Sequence, residues 1–143
     1  MIKPIRCALL LLIVCASCTK SNETSVTPLN ETVAGNDTTA VKKVMGAFVN
    51  GTYGTVSGTV SIYLQSGKYT LALENVAISN GPDLHVYLSK EIQPVNFIDL
   101  GKLKSVAGNQ VYDVANMPDF AAYKYALIHC QQYNHLFGSA ELK

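Results

Sequence analysis

Val56-Ser57-Gly58-Thr59-Val60-Ser61-Ile62-Tyr63-Leu64 decides the fold class. Val56, Val60, Ile62 and Leu64 stand two or four apart, with small or polar residues between them. That period places them on one face of an extended strand and would scatter them around a helix. The same alternation runs outward along the chain. Lys68 to Ser79 begins with Tyr69, Leu71 and Leu73 on one face, and Val76 and Ile78 then take the other. Such a change of phase predicts a bulge or a strand that switches sheets. Leu84, Val86 and Leu88 alternate with His85 and Tyr87, and Tyr123 to Gln132 is apolar on both faces up to Cys130, as in a central strand. Turn residues punctuate these runs at Gly51, Gly54, Gly67, Asn80-Gly81-Pro82-Asp83, Gly101, Gly108-Asn109 and Gly138. At Asp83 the expected task is turn formation, with the carboxylate accepting nearby backbone N–H groups. No segment carries a convincing amphipathic helical period. Short alternating strands with regular turns predict an all-β antiparallel sandwich, jelly-roll-like or barrel-like, over residues 44–143.

Residues 1–17 read as a lipoprotein signal peptide. Lys3 and Arg6 precede an apolar run from Ala8 to Ala16, and small residues lead to Cys18. The run is shorter than the ~20 residues a membrane-spanning helix needs. Cys15-Ala16-Ser17-Cys18 resembles a bacterial lipobox, with Cys15 where Leu is usual, and makes Cys18 the expected lipidation site. An ordinary signal peptide cut nearby is the alternative. A diacylglyceryl group plus an amide-linked chain such as palmitate would moor the protein to the membrane, each buried CH₂ contributing ~0.8 kcal/mol. Thr19, rather than Asp, follows the lipid site, and the expected location is the bacterial cell envelope, at the outer membrane.

Residues 18–43 comprise the lipidated cysteine and a Thr/Ser/Asn-rich stretch, TKSNETSVTPLNETVAGNDTTAVKK from Thr19, without aromatic residues or a period of 2 or 3.6. It reads as a disordered linker whose 25 residues would span roughly 25–30 Å as a coil.

Charge excludes several functions. Lys and Arg total 11 against 10 for Asp and Glu, and removal of Lys3 and Arg6 leaves 9 against 10. A neutral domain offers no electrostatic footprint for nucleic acid. No glycine-rich loop links a strand to a helix, which argues against nucleotide binding. Asp99, Asp113 and Asp119 have no evident paired carboxylate or nucleophile, so no hydrolase constellation is visible.

Seven phrases together resemble one family. They are Gly46-Ala47-Phe48, Val56 to Val60, Ser79 to Ser89, Leu100-Gly101-Lys102-Leu103-Lys104, Gly108 to Asp113, Ile128-His129-Cys130-Gln131-Gln132-Tyr133 and Leu136 to Leu142. Over residues 46–142 the chain is similar to the DM-thirteen domain, proposed as an electron-transfer module and a companion of DOMON domains. The resemblance implies that Cys130 is the redox residue, as a bare thiol or by ligating a prosthetic group such as haem. His129 stands where that family commonly has Trp, and His135 where an apolar residue is usual.

Once Cys7 and Cys15 leave with the signal and Cys18 carries lipid, Cys130 is the one remaining thiol and has no disulfide partner. Two readings follow. In one, Cys130 is a redox or cofactor-ligating centre that serves an unidentified redox partner. In the other, the sandwich is a non-enzymatic ligand- or protein-binding module, with Cys130 an inert buried hydrophobe beside Ala126 and Ile128. His85, His129 and His135 are weak metal candidates with Cys130. Alternation sends His129 and Cys130 to opposite faces, which opposes a shared ion, and no metal is expected. His85 and His129 are expected to be partly exposed and bonded to polar neighbours.

Overall fold

The computed structural model describes residues 23–33 and 39–143. Residues 1–22, with the expected signal peptide and Cys18, lie outside the described residues, as do residues 34–38.

Ten strands follow in order: β1 (Leu29–Asn30), β2 (Val41–Ala47), β3 (Val49–Asn50), β4 (Val56–Gln65), β5 (Lys68–Ile78), β6 (Leu84–Ser89), β7 (Phe97–Lys102), β8 (Ala107–Val114), β9 (Tyr125–Cys130) and β10 (His135–Glu141). They form two five-stranded sheets, β1-β8-β5-β4-β2 and β3-β10-β9-β6-β7. The described residues contain no helix. The all-β sandwich expected from the period-2 runs is the fold found. Every pairing is antiparallel except β1 with β8.

Local chemistry explains the register. Ser66 and Gly67 both have positive φ, 50° and 75°, and join Gln65 to its partner Lys68. This two-residue turn matches the right-handed twist of the strands it connects. The phase change in β5 is a bulge: its register with β8 shifts between Leu73 and Val76. Asn75 lies inside it with φ 50°, so Leu71, Leu73, Val76 and Ile78 are all buried. On β4 the matching irregularity falls at Gly58, φ 102°. A Cβ there would come within 2.7–2.8 Å of the carbonyl oxygens of Asn75 and Glu74, which reserves the position for glycine.

Between the sheets, Val60, Ile62, Leu71 and Leu73 of one layer join Val86, Leu88, Ala126 and Ile128 of the other in one buried cluster. Full burial of each larger aliphatic side chain contributes ~1.5–3 kcal/mol. β9 lies between β10 and β6 and is buried from Ala126 to Cys130, as its two-faced apolar run predicts. Reciprocal backbone bonds between Met45 and Lys143, 3.0 and 2.9 Å, tie β2 of one sheet to the chain end that follows β10 of the other.

The linker reading is corrected in part. Residues 23–33, expected to be an unstructured spacer, form a strap along β8. Glu23 bridges Pro82 and Ser25 bridges Ser105, while Leu29 and Asn30 pair with Gly108 and Asn109. Ser25 accepts the Val106 N–H at 2.9 Å, and Thr27 accepts the Ser105 hydroxyl at 2.6 Å. The Glu31 carboxylate takes Lys104 Nζ at 2.7 Å and the Val111 N–H at 2.8 Å. Hydrophobic period could not reveal this element, because backbone and polar side-chain bonds hold it in place of a buried face. It covers the edge that β8 would otherwise expose.

Candidate functional site around Cys130 and the imidazoles

Cys130 ends β9, opposite Leu84 of β6 and His135 of β10. Its side chain points between the sheets, in the same cluster as Ala126 and Ile128, and is 1% exposed. The thiol donates a hydrogen bond to the carbonyl oxygen of Pro82 at 3.0 Å. Asp83, next along, accepts the Gln131 N–H at 3.0 Å, so the Asn80–Asp83 loop is clasped to the end of β9.

One residue earlier, His129 faces the other side of the sheet. Strand alternation separates the two side chains as expected, but the expectation of exposure is corrected. His129 is 3% exposed and His85, its direct partner on β6, 7%. Aromatic packing shields this face, with Tyr87 stacked on Phe97 at 4.3 Å between centroids and on His129 at 5.3 Å. Neither ring nitrogen of His129 has a hydrogen-bond partner, which also corrects the expected polar contacts. Burial, with smaller contributions from the charges of His135 and His85, lowers its pKa from the ordinary 6.5.

His85 does find polar partners. Its Nδ1 lies 3.0 Å from Asp99 Oδ2. Its Nε2 is 3.5 Å from Asp83 Oδ1, a contact that lacks hydrogen-bond geometry. Lys102 Nζ is 2.9 Å from the same Asp83 oxygen, and that bond, ahead of the Lys102 and His85 charges, holds the Asp83 carboxyl below its usual range. The expected role of Asp83 is therefore corrected: its backbone makes the turn at φ 53°, while its carboxylate serves Lys102 and His85 instead of backbone N–H groups. Gln131 completes the group by donating to the Tyr87 hydroxyl at 3.2 Å. Burial raises the Tyr87 phenol pKa, and the charges of Asp99 and Asp83 push the same way. Sequence reasoning missed this Asp83-His85-Asp99-Lys102 group, since its members come from two separate segments, the start of β6 and β7, and no spacing rule joins them. His135 lies apart, stacked on Tyr53 at 3.6 Å with rings 3° from parallel.

These positions bear on cofactors. Among the described residues no group of three or more His, Cys, Asp or Glu side chains is arranged to hold a metal ion. Nor do the residues present fit a haem ligated by Cys130: axial ligation needs a sulfur that faces an open cleft, and this sulfur faces a backbone carbonyl inside the core. A hollow of about 300 Å³ beside the site is lined by Glu23, Asp83, Leu84, Lys102 and Lys104, without Cys130. A wider hollow of about 540 Å³ lies by Met45, Val49, Ile92 and Tyr125, where β9 begins, at the opposite end of that strand from Cys130.

Compared with known families, residues 47–142 match the family described as electron transfer DM13. No curated protein and no solved structure matches the chain. The matched span runs from the last residue of β2 to the last residue but one and takes in β3 to β10, the Pro82 loop and Cys130, so the chain belongs to the electron transfer DM13 family.

Proposed function

We propose that this protein is a lipoprotein of the bacterial envelope, moored through Cys18, whose sandwich passes electrons to or from an unidentified redox partner, with Cys130 as the redox-relevant residue. The observation that carries the electron-transfer reading is the family match over residues 47–142. The order of charged, apolar and small residues before Cys18 supports the mooring.

The burial of Cys130 narrows how such a role could operate. Thiol–disulfide exchange requires a thiolate to reach the attacked sulfur, and a side chain 1% exposed cannot do so in the closed fold. Any exchange at this sulfur therefore requires the Pro82 loop to open, freeing the thiol to give up the proton it donates to Pro82 O and to reach a partner.

The same burial favours a second reading, in which Cys130 is an inert core residue of a binding module. Voltammetry of the full chain and of Cys130→Ala, with thiol titration before and after denaturation, separates the two. A redox wave in the parent that disappears in Cys130→Ala supports the first reading. A wave unchanged by the substitution removes Cys130 from the mechanism, and no wave at all favours the binding module.

A further inference from the structure

The strap changes the geometry of the mooring. Four residues, Thr19 to Asn22, separate Cys18 from Glu23, and Glu23 is already bridged to Pro82. Five steps along a fully extended chain reach at most about 17 Å. A lipid on Cys18 would thus hold the Pro82 end of the sandwich close to the bilayer, where a free 25-residue spacer would let the domain stand off and turn over.

That end has a surface suited to the position. The Gln131–Asn134 turn lies beside the Pro82 loop through the bond from Gln131 N–H to Asp83 O, and it presents Tyr133, 56% exposed. Tyr53, also 56% exposed, is fixed beside it by its N–H bond to Leu136 O and its stack on His135. His135 is in turn 5.9 Å from the Tyr133 ring. Tyrosines with an apolar ring and a polar tip settle at the headgroup level of a bilayer. The lysines of this end supply little net attraction, because Lys102 is paired with Asp83 and Lys104 with Glu31.

We infer that the end of the sandwich bearing Glu23, Pro82, Tyr53 and Tyr133 docks on the lipid surface, with the two tyrosines in the headgroup layer. The inference rests on lipidation at Cys18. It gives the protein a second, non-covalent membrane contact and an orientation, and it turns the loop that covers Cys130 toward the membrane. An electron partner would then be met at the bilayer surface.

The chain contains no tryptophan, so single substitutions report one site each. The test uses the full lipidated chain in vesicles of phosphatidylethanolamine and phosphatidylglycerol with brominated acyl chains, which quench nearby indoles. Tyr53→Trp and Tyr133→Trp probe the docked end. Met117→Trp probes the far end, at an exposed residue beyond Val114, which pairs with Tyr69 near the β4–β5 turn. The expected result is at least a roughly twofold loss of emission for Tyr53→Trp and Tyr133→Trp, little changed in high salt, with Met117→Trp unaffected. Should Tyr53→Trp fail to fold because the His135 stack is disturbed, Tyr133→Trp carries the test. Equal quenching at both ends, or none at either while the protein floats with the vesicles, overturns the docking and leaves the anchor standing. A mature chain without acyl mass on Cys18 that fails to float overturns both.

Discussion

The thiol of Cys130 and the carbonyl of Pro82 are joined by a 3.0 Å hydrogen bond across 48 residues of chain. Through it the end of β9 is locked to the loop that opens β6, and the strap reaches the same loop at Glu23. Any chemistry at the sulfur is therefore coupled to that loop.

Cys130 should react with a small thiol reagent far more slowly in the native protein than after denaturation. A modification assay with and without denaturant reads this directly. Cys130→Ala should lower unfolding free energy by about 1–2 kcal/mol, since it removes a buried sulfur and leaves the Pro82 oxygen without its donor. Equal labelling rates in the two states would mean that the loop stands open in solution.

His129 should make the fold sensitive to acid. Its folded pKa lies below the ordinary 6.5, so below 6.5 the unfolded chain takes up a proton that the folded chain resists. Its contribution is complete above the unfolded value and is lost as pH falls through 6.5 toward the folded value. Urea unfolding across that window should show a shallower decline for His129→Phe. Above it, the variant should equal or exceed the parent by up to about 1–2 kcal/mol, because two unpartnered buried nitrogens are gone and the ring still stacks on Tyr87.

Gln110 is fully buried and organises the turn before β8. Its Oε1 accepts from the Lys104 and Ser105 N–H groups and the Tyr112 hydroxyl, and its Nε2 donates to Ser105 O at 2.6 Å. Gln110→Leu fills similar space but strands the Ser105 N–H and carbonyl, while the Lys104 N–H keeps the Tyr112 hydroxyl as acceptor. The expected loss is about 2–4 kcal/mol in chemical denaturation, and a change below measurement error would show that the turn reorganises around the new side chain.

Gly108→Ala should loosen the strap selectively. Gly108 has φ +95°, and a Cβ there would collide with the Leu29 carbonyl. Limited proteolysis or hydrogen exchange should reveal earlier opening of residues 23–33, while the β9 and β10 amides stay protected. Unchanged protection of the strap would contradict the pairing of Leu29 with Gly108.

The strands were legible because alternation is a local property of a chain that buries one face of each sheet. The change of phase from Leu71 and Leu73 to Val76 and Ile78 left a bulge or a switch of sheets open, and the structure has the bulge, at Asn75, with both sets facing the core. The facing of Cys130 followed from the same alternation. The strap escaped notice because residues 23–33 are held by backbone bonds, which any composition can make. Likewise His85, Asp83 and Asp99 carry no mark of their meeting, and the seclusion of His129 depends on Phe97 and Tyr87 packing over that side of the sheet.

Period and turn chemistry alone thus determined that this chain forms a two-layer β fold and which side of β9 carries its sulfur, because both follow from the geometry of an extended backbone. Only the tertiary structure decided that the sulfur is shut behind Pro82, that an imidazole lies buried without a partner, and that the supposed spacer is laced to an edge strand. Each of these is a contact between segments distant in the chain, set by how the layers and loops close over one another.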